Sequence, residues 1–488
     1  MRVLLVNPDV GYYTRALSNP VGLLSIASYL KQYGHKVRIY DRCVDKTNLS
    51  TVLKSFNPEI VGVSVMSSRG LKDASKVSVI VKRSKKTVVW GGQLPTMQPD
   101  LVLANDYVDV VSLGEGEETW KELVTCLENG QDYHSIKGIA YKLDGEIKTN
   151  PCRPFSDLGK MPVSDFSLLD VPKYMQPYLG CKRMMYIYSS KGCPCRCAFC
   201  SNVSFHKSTH RKRPNDNVIK EIKYLIENHD LDGVFFSDEL WCLNKSDMQD
   251  FCRKVREQNL KFRWGVQIRI GMFDEEDFRE MYEAGCRWIF FGIESGSDEI
   301  LKKIHKNIDK NAIKPTVDVL KKIGITSICS YIIGFPDETV EQLKDTVELI
   351  KNTDANLNPV YHFTPLPGTE LYNEVIGKKG YVPAKSLKEL SKVVATESVG
   401  MNFSAVPTKD LRVIRSWFHW KGFVNKQAYA EGSSFEFAKQ TVQNGLHSIS
   451  LKDPISFFAN GITAFYEFIY VFWYSHVYPD IRNKYNLK

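Results

Sequence analysis

Short, nearly continuous apolar runs alternate along the first third of the chain with stretches in which apolar residues recur every three or four positions. The run RVLLVN over residues 2–7 predicts a buried strand that ends at Asn7-Pro8. Leu23, Leu24, Ile26, Ala27 and Leu30 share one face of a helix at about 21–33, with Gly34 placed to stop it. Further strands are predicted at 36–40 (followed by Asp41), 60–65, 87–90 and 108–111, with helices near 49–56, at about 71–83 and from Glu118. This alternation over residues 1–145 predicts a doubly wound parallel sheet. Ligands of such sheets sit beyond the carboxyl ends of the strands. Asn7, Ser64, Met66, Gly91, Gly92 and Gly114 occupy those ends, and glycines there let the backbone approach a ligand closely. The first turn has no GxGxxG, which argues against a dinucleotide.

Residues 146–183 hold five prolines and little periodicity, and read as a linker or extended wrap. From Met184 the alternation resumes. The strand MMYIYSS is followed by a helix at about 216–228, with Val218, Ile219, Ile222, Leu225 and Ile226 on one face. Strands then follow at 233–236, 262–268, 287–292, 326–333 and 359–364. Six βα-type units over 184–375 predict a partial (β/α)6 barrel, whose site lies at the carboxyl ends of its strands. Residues 376–488 are expected to form a mostly helical C-terminal domain. Within it, the aromatic segment 455–478 is interrupted by Asn460, Gly461, Glu467 and His476. It reads as a buried or interfacial helix able to touch a membrane surface rather than as a span.

The densest chemistry lies in residues 191–202, KGCPCRCAFCSN, with four cysteines in eight residues. Cys193, Cys197 and Cys200 fall on the spacing CxxxCxxC, while Cys195 falls outside it and reads as a bystander. Thiolates are soft ligands that suit iron–sulfur clusters. Three of them on one loop can hold three irons of a cubane and leave the fourth open to a chelating small molecule. A zinc knuckle is the competing reading, but it needs a second ligand pair, and Cys242, Cys252, Cys286 and Cys329 are scattered singly.

Composition narrows the classes. Hydrophobic content of 43% and charged content of 25% are ordinary for a soluble protein. The net charge of +9 is spread over 488 residues, and its one dense run is HKSTHRKR at 206–213. No aromatic-interleaved basic stripe accompanies that run, so no nucleic-acid partner is expected. The run reads as a solvated loop or, so near the cysteines, as a site for an anionic group. The twelve cysteines lack a disulfide-scaffold pattern, and no signal peptide is visible, so a cytoplasmic location is expected.

The cysteine stretch resembles the signature of the radical S-adenosylmethionine (radical SAM) enzymes. The resemblance implies a 4Fe–4S cluster on Cys193, Cys197 and Cys200, whose open iron takes the amino and carboxylate groups of SAM and whose electron cleaves SAM to a 5′-deoxyadenosyl radical. It further implies that Phe199 lies against the adenine. SDELWCLNK, with Asp238 and Glu239, is similar to the family's acidic element for the SAM ammonium. FFGIESGSDEILKKI, with Glu294 and Ser295, resembles the segment at the SAM ribose and carboxylate. Gly334 belongs to an element like the one that flanks adenine, and FTPLPGTELY closes the sixth strand. Arg269 has two readings, a SAM contact and a salt bridge on the barrel rim, and Glu299 reads equally as a helix cap.

The N-terminal elements PVGLLSIASYL, GHKVRIYD, GGQLPT and YVDVV…GEGE together resemble the cobalamin-binding domain that precedes many radical SAM modules. That likeness covers roughly residues 1–140 and implies cobalamin contacts at Asn7, Ser64, Met66, Gly91, Gly92, Pro95, Thr96, Gly114 and Glu115. The DxHxxG motif of the classical domains is missing, and His35, the sole histidine before residue 130, reads as a turn residue. Cobalt would then have no histidine below it. The combined resemblance implies a cobalamin-dependent enzyme that methylates an unactivated carbon of a small-molecule or peptide substrate, with a lean toward an apolar one. Flavodoxin or ferredoxin is the expected electron donor. Radical cyclisation, ring contraction or oxidation with cobalamin, and a cobalamin-independent epimerase or rearrangement enzyme, would use the same parts. A non-catalytic metal-binding module would leave the strand-end motifs unexplained.

Overall fold

β1 (Arg2–Asn7) is buried on both faces, as a strand covered by helices on two sides must be. The computed structural model describes residues 1–10, 18–392, 401–424 and 478–487. In it, Leu4 and Val6 pack with Val61, Val63 and Trp90 on one face, and Val3 and Leu5 with Leu23, Ala27, Leu30 and Trp120 on the other. β1 pairs in parallel with β2 (Lys36–Asp41) and β3 (Ile60–Ser64), and β4 (Thr87–Gly91) and β5 (Val110–Ser112) extend the sheet in the same sense. β6 (Ile139–Leu143) and β7 (Glu146–Thr149) close its far edge as an antiparallel hairpin, giving the order β2-β1-β3-β4-β5-β6-β7. Chain direction therefore switches between β1 and β3, and that switch opens the crevice at the carboxyl ends. Gly62 is fixed by packing, because a Cβ there would come within 2.5 Å of the Trp120 indole. β7 falls within the stretch read as a linker. Its sequence EIKT offers one apolar residue on a mostly exposed edge, too little for a hydrophobic pattern to announce it.

The second large sheet begins with β8 (Gln176–Tyr178), antiparallel to β9 (Cys181–Ile187). A small antiparallel ribbon follows, β10 (Ser190–Gly192) with β11 (His210–Lys212). Parallel strands β12 (Gly233–Phe236), β13 (Arg263–Ile268), β14 (Cys286–Glu294), β15 (Thr326–Ile333) and β16 (Val360–His362) complete the order β16-β15-β14-β13-β12-β9-β8. The sheet curls into a half-barrel, and β16 and β8 remain unpaired edges. Alternation fixes the two faces. Met185, Ile187, Val234, Phe236, Val266, Ile268, Ile289, Phe291, Tyr331, Ile333 and Val360 pack outward into the helix-covered core. Their neighbours Tyr186, Phe235, Gln267, Phe290, Ile332 and Tyr361 face the concave side and are half-buried. Trp288 fills the floor of that lumen, since a Cβ on Gly265 would lie 1.9 Å from its indole.

Arg213, two residues before the helix Asn215–His229, is fully buried with Glu221 of that helix. Its Nη1 also donates to Tyr188 O at 2.8 Å, and the guanidinium lies 4.5 Å over the Tyr188 ring. The C-terminal part contributes the helix Thr408–Val424 beside β16 and the short helix Pro479–Lys484. The helix expected over 455–478 lies outside the described residues apart from Tyr478, and no helix of the described residues is long and apolar enough to cross a membrane.

Removing one member of a buried ion pair strands the other charge, so Arg213→Ala should cost about 3–5 kcal/mol of unfolding free energy. The urea transition followed by barrel tryptophan fluorescence measures it. A loss below about 1 kcal/mol would mean that Glu221 is rehydrated or neutral without its partner.

Candidate active site

Residues 193–209 form the loop of the ribbon β10–β11, so the cysteines hang between two paired strands. Gly192 (φ +86°) turns the chain into this loop, and a Cβ there would sit 2.3 Å from Thr209 O. The loop is pinned to the barrel by Ala198 N–H donating to Ile304 O and by Leu371 N–H donating to Ala198 O, both at 3.0 Å. A cavity of about 460 Å³ opens on Arg196, Cys197, Cys200, His305, Asn307 and Thr369. Burial pushes the Cys200 thiol up to about 11 and raises that of Cys197, which the Lys306 and Arg269 cations pull back. Cys193 shares a hydrogen bond with Cys195, which raises Cys193 and lowers Cys195. The bystander of the spacing is therefore an immediate neighbour in space. Among the described residues no cluster of His, Cys, Asp or Glu is arranged to hold a single metal ion. A cubane asks for something different, because each thiolate binds its own iron. One buried and two half-buried thiols on a pinned loop, with two cations beside them, suit an anionic cluster.

The acidic residues at the strand ends differ in what they are free to do. Asp238 is wholly buried and accepts from Ser189 N–H at 2.8 Å and from its hydroxyl; burial pushes it up to about 7. That carboxyl, expected at SAM, is hydrogen-bonded within the strand end. Glu239 accepts from Gly192 N–H at 2.9 Å and lies 3.6 Å from His206 Nε2. Burial pushes Glu239 up, but His206 and that N–H outweigh it and hold the carboxylate below its ordinary value. Glu294 stands at a bulge with φ +73° and accepts from Lys306 Nζ at 2.8 Å. Gly292 makes room for the pair, since a Cβ there would lie 2.4 Å from Glu294 Oε1.

Two further residues expected at SAM have partners within the chain. Ser295 is buried with its hydroxyl 3.1 Å from Thr346 Oγ1, and it accepts from Ser297 N–H, so it braces the turn. Arg269 donates to the carbonyls of Lys306 and Asn307, which makes it a buttress of the 305–307 turn rather than a salt bridge. Phe199 and Phe335 meet edge to face at 5.9 Å. Gly334 (φ +81°) donates to Glu338 Oε2 at 2.6 Å. Burial pushes Glu338 up to about 8, and its Oε1 has no hydrogen-bond partner among the described residues.

At the crevice of the N-terminal sheet, Met66 is 62% exposed and Gly114 (φ +70°) has no heavy atom within 4 Å of where a Cβ would lie. Ser64 and Gly91 are half-buried beside them, and the Asn7 side chain is bonded to Asp41. Gly92 (φ +103°) serves packing instead, because its Cβ would meet Val65 O at 2.8 Å. Thr96 Oγ1 accepts from Gly114 N–H at 3.0 Å and donates to Gly92 O at 2.8 Å, while Pro95 is buried beneath. An open edge with an exposed thioether and an uncovered glycine fits a flat corrin. His35 precedes β2 at the opposite, amino-terminal end of the strands.

Glu115, expected at cobalamin, is engaged by the ribbon of the other sheet. It accepts two hydrogen bonds from Arg211, at 2.6 and 2.9 Å. Beside it, Glu117 accepts from Lys191 Nζ at 2.7 Å and from Ser25 Oγ at 2.6 Å. The short helix Gln93–Met97 packs against Asn202–Phe205, just after Cys200, and Gln93 Nε2 donates to Ser201 Oγ. The two strand-end faces are thus neighbours. Sequence reasoning missed Lys191, Arg211, Glu117, His206, Lys306 and Glu338. The signals were the basic run and the repeated glutamate of GEGE, whose partners lie far away in the chain.

Residues 14–124 match the B12 binding domain family, and residues 187–350 match the Radical SAM superfamily. An uncharacterized methyltransferase of Pyrococcus horikoshii is 30% identical over 450 residues, covering 88% of this chain and 97% of that one. An anaerobic magnesium-protoporphyrin IX monomethyl ester cyclase of Rubrivivax gelatinosus is 26% identical, covering 77% and 70%. Among solved structures, the radical SAM methyltransferase TsrM of Kitasatospora setae shares the fold with a TM-score of 0.65 at 21% identity, covering 77% of this chain and 76% of that one.

Glu338 gives this region a pH signature. The folded state keeps its proton to about pH 8, whereas a free glutamate releases it near 4.5. Between those values the folded state binds more protons, so this group's contribution to stability falls as pH rises. Glu338→Gln keeps the acceptor for Gly334 and should flatten the pH dependence of the urea midpoint from about pH 5 to 8. Equal slopes in the two proteins would mean that Glu338 is ionised in the fold.

Proposed function

The chain belongs to the radical SAM enzymes that carry an N-terminal B12-binding domain, and from that membership we propose that it methylates an unactivated carbon of a small-molecule or peptide substrate. The observation that carries the reading is the contact between the segment after β4 and the segment after Cys200, which sets the open edge of one sheet beside the cysteine loop of the other. When bound, the 4Fe–4S cluster with SAM supplies a carbon radical and cobalamin supplies the methyl group.

The chain's own residues orient and insulate. Cys193, Cys197 and Cys200 would hold the cluster. Glu239, held ionised by Gly192 and His206, would take the SAM ammonium. Glu294, paired with Lys306, would face the ribose and carboxylate, with Phe199 and Gly334 at the adenine. Asn7, Ser64, Met66, Gly91 and Gly114 would border the corrin, and Gly92, Pro95 and Thr96 would shape that border. The lumen below the rim presents Tyr186, Phe235, Gln267, Phe290, Ile332 and Tyr361. None of these is charged, and one amide interrupts the aromatic and aliphatic surface. Such a wall favours a substrate whose reacting part is neutral and largely apolar, and it keeps water from a reactive carbon. Flavodoxin or ferredoxin in a reducing cytoplasm would supply the electron. The cyclase among the relatives gives cobalamin-assisted ring closure as the second reading.

Anaerobic reconstitution with iron, sulfide and hydroxocobalamin tests this, with about four irons and one cobalt expected per chain. Alanine at the three cysteines should abolish the cluster's visible absorption, and Glu294→Gln should weaken SAM binding about tenfold with iron retained. Full iron without cobalt would remove methyl transfer, and unchanged SAM affinity would remove Glu294 from the site. Product mass separates a gained methyl group from ring closure.

A further inference from the structure

On the ribbon β10–β11, Lys191 is the direct cross-strand partner of Arg211. Like charges placed opposite each other destabilise a strand pair, and a two-stranded ribbon is marginal by itself. Both cations are mostly buried, at 18% and 19% side-chain exposure, so water does not relieve the repulsion. Relief comes from the other sheet. The turn after β5 delivers Glu115, at 7% exposure, to both Arg211 nitrogens, with Lys191 Nζ 3.8 Å away. It also delivers Glu117, at 3% exposure, to Lys191 at 2.7 Å. Ser25 hydrogen-bonds Glu117 and lies 3.3 Å from Tyr188 OH, two residues before the ribbon. Within its own module the ribbon is tied by neutral or single contacts: Ser190 Oγ to Leu240 O, His210 Nε2 to Leu240 O, Gly192 N–H to Glu239, and Lys212 5.2 Å over Trp241; none of them neutralises Lys191 or Arg211.

We propose that Glu115 and Glu117 are positioning residues of the iron–sulfur cluster. By neutralising the opposed cations they close the ribbon whose loop carries Cys193, Cys197 and Cys200. The N-terminal domain then has a second task, holding the cluster loop shut, and performs it with carboxylates engaged by Arg211 and Lys191. The proposal rests on the cluster assignment made above.

Three full-length proteins test it: the wild type, Glu115→Gln/Glu117→Gln, and that double variant with Lys191→Met/Arg211→Met added. Hydrogen exchange at the amides of 190–192 and 210–212, before iron is added, reads closure of the ribbon directly. Iron release from the reconstituted protein to a chelator reads its consequence. The double variant should exchange and lose iron about tenfold faster, the effect of losing one charge-assisted contact. The fourfold variant, with no cations left to oppose, should return both rates to within about threefold of wild type. Wild-type rates in the double variant would overturn the proposal, as would a fourfold variant that stays as fast as the double. A wild type that assembles no cluster would sink the functional reading instead, and the exchange measurement would still decide this one.

Discussion

Two glutamates, a lysine and an arginine meet where the turn 114–117 of one sheet touches the ribbon of the other. Burying four charges is costly, and attraction offsets that cost only where geometry is good and the remaining donors are used. The first condition holds, and the second holds except at Arg211 Nε, which is buried without a hydrogen-bond partner among the described residues. Arg211 is bidentate on Glu115 and reaches Ser156 O, and Glu117 has a hydroxyl besides its lysine. Burial alone would raise Glu117 and lower Lys191, yet each moves the opposite way because of the other. The carboxyl ends of the first sheet cannot drift from the cysteine loop without stranding charge in a low-dielectric junction. Everything asked of the site, two cofactors over one substrate, presupposes that contact.

The same constraint sorts the carboxylates along the barrel mouth. Asp238 is taken by Ser189, Glu294 by Lys306 and Glu338 by the Gly334 turn. Glu239 keeps ionised character while its nearest partners are a backbone N–H and a histidine at 3.6 Å. Adjacent residues on one loop therefore do opposite jobs. The one facing inward supports the strand end, and its neighbour stays available to a cationic ligand group.

Much of this was legible in the sequence, and the limits have physical causes. The strand–helix alternation, the six parallel strands of the half-barrel and the cysteine spacing are local patterns set by burial and ligand chemistry. β7 escaped because an edge strand with a single isoleucine has no pattern to show. Glu115 was placed on a strand-end turn, but its bond to Arg211, which spans 96 residues, left no local signal. Gly92 and Gly114 look alike in the sequence, but one lets the backbone pass Val65 and the other leaves open space. Asp238 and Glu239 could not be told apart, because which of them points inward depends on Ser189 arriving from another strand.

The barrel also separates charge by depth. Glu239, Arg269, Glu294 and Lys306 all stand at the carboxyl ends of strands or in the turns beyond them, alongside the cysteines. Among the described residues, the inward-facing layer of Tyr186, Phe235, Gln267, Phe290, Ile332 and Tyr361 below has no carboxylate or amine, and Trp288 fills the floor. Charged groups of a bound cofactor would find their partners at the rim, where lysine, arginine and backbone donors could replace their water. Under the proposed function, the carbon to be attacked would lie against these aromatic and aliphatic walls. An uncharged wall makes the desolvation of a neutral substrate inexpensive and that of an ion severe. The selectivity of the site therefore begins with charge before it reaches shape.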